Sequence, residues 1–239
     1  MIALSLSAAL TVGLTGQAEA SPVSLTNPGF ETPEPTSNGR PNSTGDWSGD
    51  GSAIVAADNG IVPHSGNAML RFDATSRNGA GVGFGSDVYQ LVDVSAYQSA
   101  MSGSGVSATA GVYVNSVAGD ASTDTAFRLW VWALSGTPAT FAGENEGTAL
   151  AEAGALFHSD ADPNTWEPFS VGLNLPAGTN YLAVIVSGIE DVVNDTASPE
   201  FAGHYADSVS LDVVEMPEPG TAAVTLTALA VCCGGRRWS

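Results

Sequence analysis

The sequence predicts an all-β protein, a two-sheet β-sandwich, and three observations carry that expectation. Short alternating or β-branched runs recur along the chain, each broken off by Gly, Asn, Asp or Pro. The body shows no sustained helical period, and strands that follow one another without helices pack as sheet on sheet. That body, residues 21–215, is long enough to bury a core of its own as one domain. Both cysteines, Cys232 and Cys233, fall outside it, so no disulfide holds it.

In chain order, residues 1–20 read as an export signal. Met1 to Leu14 is apolar and small, and Ala18-Glu19-Ala20 before Ser21 has the form of a signal-peptidase site, although no Lys or Arg precedes the apolar run. Strands are then expected over Pro22–Leu25, Ala53–Ala56, Ala68–Phe72, Val88–Val94, Val106–Val114, Phe127–Leu134, Trp166–Leu175, Tyr181–Ser187 and Tyr205–Val214. Thr148–Phe157 ("TALAEAGALF") is the one stretch that reads as a possible helix, weakened by Gly154. Gly- and Ser-rich pieces such as "SGSGVS" are too short for linkers and fit turns. Residues 216–239 form a separate tail: Pro217-Glu218-Pro219-Gly220, a short hydrophobic helix from Thr221 to Gly235, then Arg236 and Arg237. As a helix that apolar segment spans about 22 Å, against ~30 Å of bilayer hydrocarbon. It suits transient membrane insertion, with the two arginines kept on the cytoplasmic side.

Charge narrows the partners. The chain carries 6 basic and 25 acidic residues, a net charge of −19, and no lysine. A surface of that sign repels phosphate backbones, which excludes nucleic acid, and it disfavours anionic lipid. Acidic surfaces of this kind stay soluble in salt and attract cations, which suits an extracellular setting.

Signals for catalysis are weak. His64, His158 and His204 stand far apart, outside any H-E-x-x-H or Cys-containing zinc pattern, and there is no G-x-S-x-G elbow. "GVGFG" (Gly81–Gly85) lacks the lysine and the helix of a phosphate loop and reads as a turn. A glycosidase pair among so many carboxylates would still need a deep cleft, for which one small sandwich leaves little chain. "DWSGDG" (Asp46–Gly51) has oxygen donors at the first, third and fifth places of a calcium loop, but its twelfth place is Ala57 rather than a bidentate Glu. It reads as a turn, as does "DADPN" (Asp160–Asn164). The chain is expected not to be an enzyme.

A binding face is more legible. In "FRLWVWAL", Arg128, Trp130 and Trp132 fall on one side of a strand, with Phe127, Leu129 and Val131 on the other. With the aliphatic side in the core, two indoles and a guanidinium face outward, equipment for stacking on sugar rings and gripping hydroxyls. Trp47, Tyr89 and Gln90 are candidates to join them. The competing reading is that the tryptophans are core, where such large side chains mostly bury.

Two resemblances extend these readings. The export signal in front, with Pro217-Glu218-Pro219-Gly220, the apolar stretch and Arg236-Arg237 behind, resembles the PEP-CTERM sorting signal. That resemblance implies processing by an exosortase-type enzyme and a tail removed at the cell surface. "LTNPGFE" (Leu25–Glu31), "HSGNAMLRF" (His64–Phe72), "VYQLVDV" (Val88–Val94), "TWEPFSVGLNLPAGTNYLAVIV" (Thr165–Val186) and "HYADSVSLDVV" (His204–Val214) follow one another in an order similar to galactose-binding-like jelly rolls, especially carbohydrate-binding modules. What that implies is a structural Ca2+ ion held by Glu31 of the opening motif and Asp207 of the last strand. The functional expectation is an exported, non-catalytic protein of the cell surface or matrix that binds an extracellular polysaccharide. The alternatives are a structural matrix protein that binds no sugar and, last, a small glycan-active hydrolase.

Overall fold

A computed structural model describes residues 23–73, 85–117, 125–144, 146–160, 162–190 and 203–217. The expected export signal and all but the first two residues of the expected sorting tail lie outside these, as do Gly81–Phe84 of the glycine-rich stretch. Among the described residues the chain forms ten strands: β1 (Ser48–Gly49), β2 (Ser52–Val55), β3 (Met69–Phe72), β4 (Gly85–Asp93), β5 (Val106–Ser116), β6 (Thr125–Leu134), β7 (Ala151–His158), β8 (Glu167–Asn174), β9 (Tyr181–Glu190) and β10 (His204–Glu215). One short helix, α1 (Gln98–Ser102), sits between β4 and β5. No helix among the described residues is long and apolar enough to cross a membrane.

The strands pair antiparallel into two five-stranded sheets, ordered β1-β4-β9-β6-β7 and β2-β3-β10-β5-β8, stacked as a jelly-roll β-sandwich. Alternation along each strand divides the residues between two environments. Val88 and Val92 of β4, Val184 and Val186 of β9, and Phe127, Leu129 and Val131 of β6 meet Leu70, Phe72, Val112, Val114 and Leu211 from the other sheet in one core. Phe30 and Trp47, from the segments before β1, belong to that core as well. The sequence-predicted strands from Ala53 onward are observed with shifts of a few residues at their ends.

Two expectations are corrected. "TALAEAGALF" is a strand, not a helix: β7 pairs with β6 from Ala126↔His158 to Ala133↔Ala151. Its Ala151, Ala153, Ala155 and Phe157 pack on the core at strand spacing. Alanine and glutamate favour helix locally, but pairing along a whole neighbouring strand overrides that preference. The Pro22–Leu25 strand is absent from the described residues 23–25. Leu25 is buried there, and the next residue, Thr26, pairs with a side chain instead of a strand. The Gln90 Oε1 accepts from the Thr26 amide at 2.8 Å, and its Nε2 donates to the Thr26 carbonyl at 2.8 Å. A side-chain amide thus takes the place of a peptide group.

Candidate functional site

The outer face of the first sheet is organised by register across β4, β9 and β6. Asp87 lies opposite Ser187, which lies opposite Arg128. One row on, Tyr89, Ile185 and Trp130 align; in the next, Leu91, Ala183 and Trp132. Cross-strand partners share a face, so these side chains rise together. With Arg40, from the loop before β1, all of them but Leu91 and Ala183 line a cavity of about 330 Å³. Arg128, Trp130, Trp132 and Tyr89 from the sequence reading therefore meet in one place.

The aromatic groups differ in exposure. Trp132 is 4% exposed, packed among Leu134, Tyr181 and Phe141, the last brought over the sheet by the turn Pro138–Gly143. Trp130 is half-buried and lies across β7 at Gly154, where a Cβ would fall 1.3 Å from its Cδ1. The absence of a side chain there is what seats the indole. The Arg128 guanidinium stands 4.6 Å from the Trp130 ring centroid, a cation–π distance. The two indoles are 5.8 Å apart.

Polar groups complete the cavity. Arg40 stands over the rings of Tyr89 and Phe141, at 5.4 and 5.5 Å, and donates to the Glu144 carbonyl. Asp87 accepts from the Tyr89 hydroxyl at 3.0 Å and from the Ser187 hydroxyl at 2.5 Å. Burial, and then the Asp87 carboxylate, push the Tyr89 phenol well up, so it remains a donor at any physiological pH. The Trp132 Nε1–H is buried with no acceptor among the described residues.

Trp47 and Gln90 are placed elsewhere. Trp47 is fully buried against Phe30, with ring centroids 5.4 Å apart, and donates to the Asn27 carbonyl at 3.2 Å. Gln90 is 1% exposed and engaged with Thr26, as described above. Conversely, Arg40 and Asp87 were missed by sequence reasoning. Scarcity was the available signal for Arg40, since any of so few basic residues draws notice.

Glu31 and Asp207 do come to a common turn. The Glu31 carboxylate accepts from the amides of Asn67, at 3.0 Å to each oxygen, and Ala68, at 3.3 Å. Asp207 is fully buried and accepts from the Ser65 amide at 3.0 Å and from its neighbour Ser208. Burial raises the Asp207 pKa, partly offset by those amides. Gly66, at φ +63°, is required: a Cβ there would fall 2.2 Å from Glu31 Oε1. At Gly29 an added Cβ would find room 3.7 Å from Asp207 Oδ1, 3.7 Å from Ser65 Oγ and 3.9 Å from Glu31 Cγ. That small cradle is lined by oxygen-bearing side chains, the donor type that suits calcium. Among the described residues no three of His, Cys, Asp and Glu gather as metal ligands. A cation here would rest on Asp207 and neutral oxygens, joined by Glu31 once its carboxylate turns from the Asn67 and Ala68 amides. The other acidic loop satisfies itself: Asp160 and Asp162 accept from Thr165 and Asn164 within the turn.

No protein-family model matches the chain, and no curated protein matches it. Among solved structures, a cyclase from Fischerella sp. TAU superposes with a TM-score of 0.51 at 13% identity, covering 82% of this chain and 100% of that one. The neighbours also include carbohydrate-binding modules. The CBM22-1 xylan-binding domain of Paenibacillus barcinonensis Xyn10C gives 0.40 at 15% identity, over 84% and 100% of the two chains. A family 35 carbohydrate binding module from Clostridium thermocellum gives 0.39 at 14%, over 82% and 99%. At 13% identity what is shared with the cyclase is the fold.

Proposed function

We propose that the chain is an exported, non-catalytic carbohydrate-binding protein of the cell surface or extracellular matrix, and that the cavity on the outer face of the first sheet is its binding site. The observation that carries this reading is the cross-strand assembly of Tyr89, Trp130 and Arg128, with Arg40 above them. Aromatic rings beside fixed polar groups supply both the apolar contact and the hydrogen bonds that a sugar ring needs. Among the described residues Asp87 is the one carboxylate in the lining, so the facing pair that glycoside hydrolysis uses has no counterpart among them. The rival, a matrix protein without a sugar ligand, is favoured by the burial of Trp132.

Paired substitutions separate the two. Trp130→Ala removes a half-buried ring and is expected to abolish saccharide binding while the melting temperature stays close to that of the parent. Trp132→Ala excavates a packed cluster and is expected to cost ~3–5 kcal/mol of stability. A glycan array on the parent with no hits, together with a strongly destabilised Trp130→Ala, establishes the matrix-protein reading instead.

Calcium is proposed at Glu31 and Asp207, supported by the convergence of the two carboxylates on one turn. Its part is structural, tying the opening segment to the last strand in a body without cysteines. Delivery is proposed to follow the Ala18-Glu19-Ala20 site and the Pro217-Glu218-Pro219-Gly220 tail, with an exosortase-type enzyme as processing partner.

A further inference from the structure

The cavity's hydrogen-bonding groups are out of balance. Of the 6 basic residues in the chain, two reach this one cavity, Arg40 and Arg128. Arg71 shows what an arginine ordinarily does in so acidic a protein: it pairs with Asp58 at 2.8 Å and Asp73 at 2.6 Å. Among the described residues Arg40 and Arg128 form no ion pair at all.

A guanidinium offers five N–H donors and no acceptor. Arg40 places a donor on the Glu144 carbonyl, and the Arg128 guanidinium makes no hydrogen bond among the described residues. The cavity's carboxylate, Asp87, accepts from Tyr89 and Ser187 and pairs with neither arginine among the described residues. The Asp87 backbone amide donates to the Asp50 carboxylate at 3.3 Å, whose charge also bears on the Tyr89 phenol. What remains is a surplus of donors and of positive charge beside aromatic rings. A neutral sugar, whose hydroxyls both donate and accept, calls for a mixed lining. An oxyanion calls for donors alone, and a planar guanidinium matches a carboxylate or sulfate in two-point contact.

From this we infer that the cavity takes an acidic saccharide, a sugar ring bearing a carboxylate or sulfate. The inference rests on the carbohydrate-binding reading and narrows its ligand class. A net charge of −19 repels long polyanions, so the occupant is a chain end or a short oligomer rather than an extended acidic run.

The test is calorimetric titration of the full chain with four probes: trigalacturonic acid, its fully methyl-esterified form, a sulfated galactotriose and neutral galactotriose. The free acid or the sulfated probe is expected to bind at least about tenfold more tightly than the neutral two, as charge-assisted hydrogen bonds would give. Whichever of the two is tighter identifies the oxyanion. Arg128→Gln should erase the preference for the charged probes. The acid–ester comparison on the unmodified chain stands even where that variant folds poorly. Equal binding of all four probes overturns the acidic ligand and leaves the carbohydrate reading in place. Absence of binding by all four, and by a broader glycan array, overturns both.

Discussion

Replacing Gly154 by alanine probes the seat of Trp130 without touching a residue of the cavity lining. A Cβ at position 154 would lie 1.3 Å from Trp130 Cδ1 and 1.6 Å from its Nε1. Carbon atoms in contact sit at about 3.5–4.0 Å, so the indole has to lift by roughly 2 Å. The Arg128 guanidinium, 4.6 Å from that ring, loses its platform in the same movement. Stability changes less than the site does. Alanine in a strand interior gains ~0.5–1 kcal/mol over glycine, while displacing a packed ring costs ~1–3 kcal/mol. β7 is an edge strand and Trp130 is half-buried, which gives the ring somewhere to go. The expected result is a shift of a few degrees in melting, a red-shifted tryptophan emission with greater access to quencher, and a tenfold or larger loss of saccharide affinity, that is about 1.4 kcal/mol or more. In a Trp130→Phe background the same substitution should leave the emission unchanged. Parent-like emission and affinity in Gly154→Ala would refute the seating argument, and so would an equal spectral shift in the Trp130→Phe background.

Calcium at a hundredfold excess over its Kd should raise stability by about 2.7 kcal/mol. Melts with calcium and with chelator would then differ by several degrees, a difference that Asp207→Asn should erase; identical parent melts rule the ion out. Acid should destabilise the fold through His204, which is 4% exposed against the Phe127 ring and hydrogen-bonded to the Ile189 backbone. Burial lowers its pKa from 6.5 to about 3. The unfolded chain therefore binds a proton that the folded one refuses between those values. The contribution is complete above pH 6.5 and lost as pH falls toward 3, at ~1.4 kcal/mol per pH unit. Urea titrations from pH 4 to 8 should show that slope in the parent and not in His204→Gln, and parallel profiles would remove His204 as the cause. Intact-mass measurement on protein recovered from its native host should show loss of the residues beyond about Gly220, and a mature chain still carrying Trp238 would contradict tail processing.

Which side of β6 faces the core was legible because aliphatic and polar-aromatic residues alternate there without interruption, a signal that survives any choice of partner strand. β7 was not, since its inward residues are mostly alanine. Small side chains carry little hydrophobic contrast, and the pairing that decides the matter comes from β6. Tyr89 and Gln90 could not both have reached the cavity. As consecutive residues of one strand they point to opposite faces, and Gln90 goes inward. Arg40 and Phe141 arrive on loop and turn segments, which have no period to read, so only the folded chain puts them beside Tyr89. The convergence of Glu31 with Asp207 was suggested by family resemblance rather than by spacing, and the structure brings both to the turn at residues 65–68.

The placement of β10 bears on how the body responds to tension. The strand that leads out of the sandwich is the middle one of its sheet, with β3 on one side and β5 paired from His204↔Ser116 to Glu215↔Val106 on the other. A pull along its axis from the residues after Glu215 loads that whole ladder in shear, whereas an edge strand peeled sideways breaks its bonds singly. At the irregularity between Asp207 and Ser210, the Val209 amide donates to the Pro28 carbonyl at 2.8 Å and Asp207 holds the Ser65 amide. Part of the load is thereby passed to the opening segment. A sandwich hung from this end resists extension by the strand that is hardest to draw out.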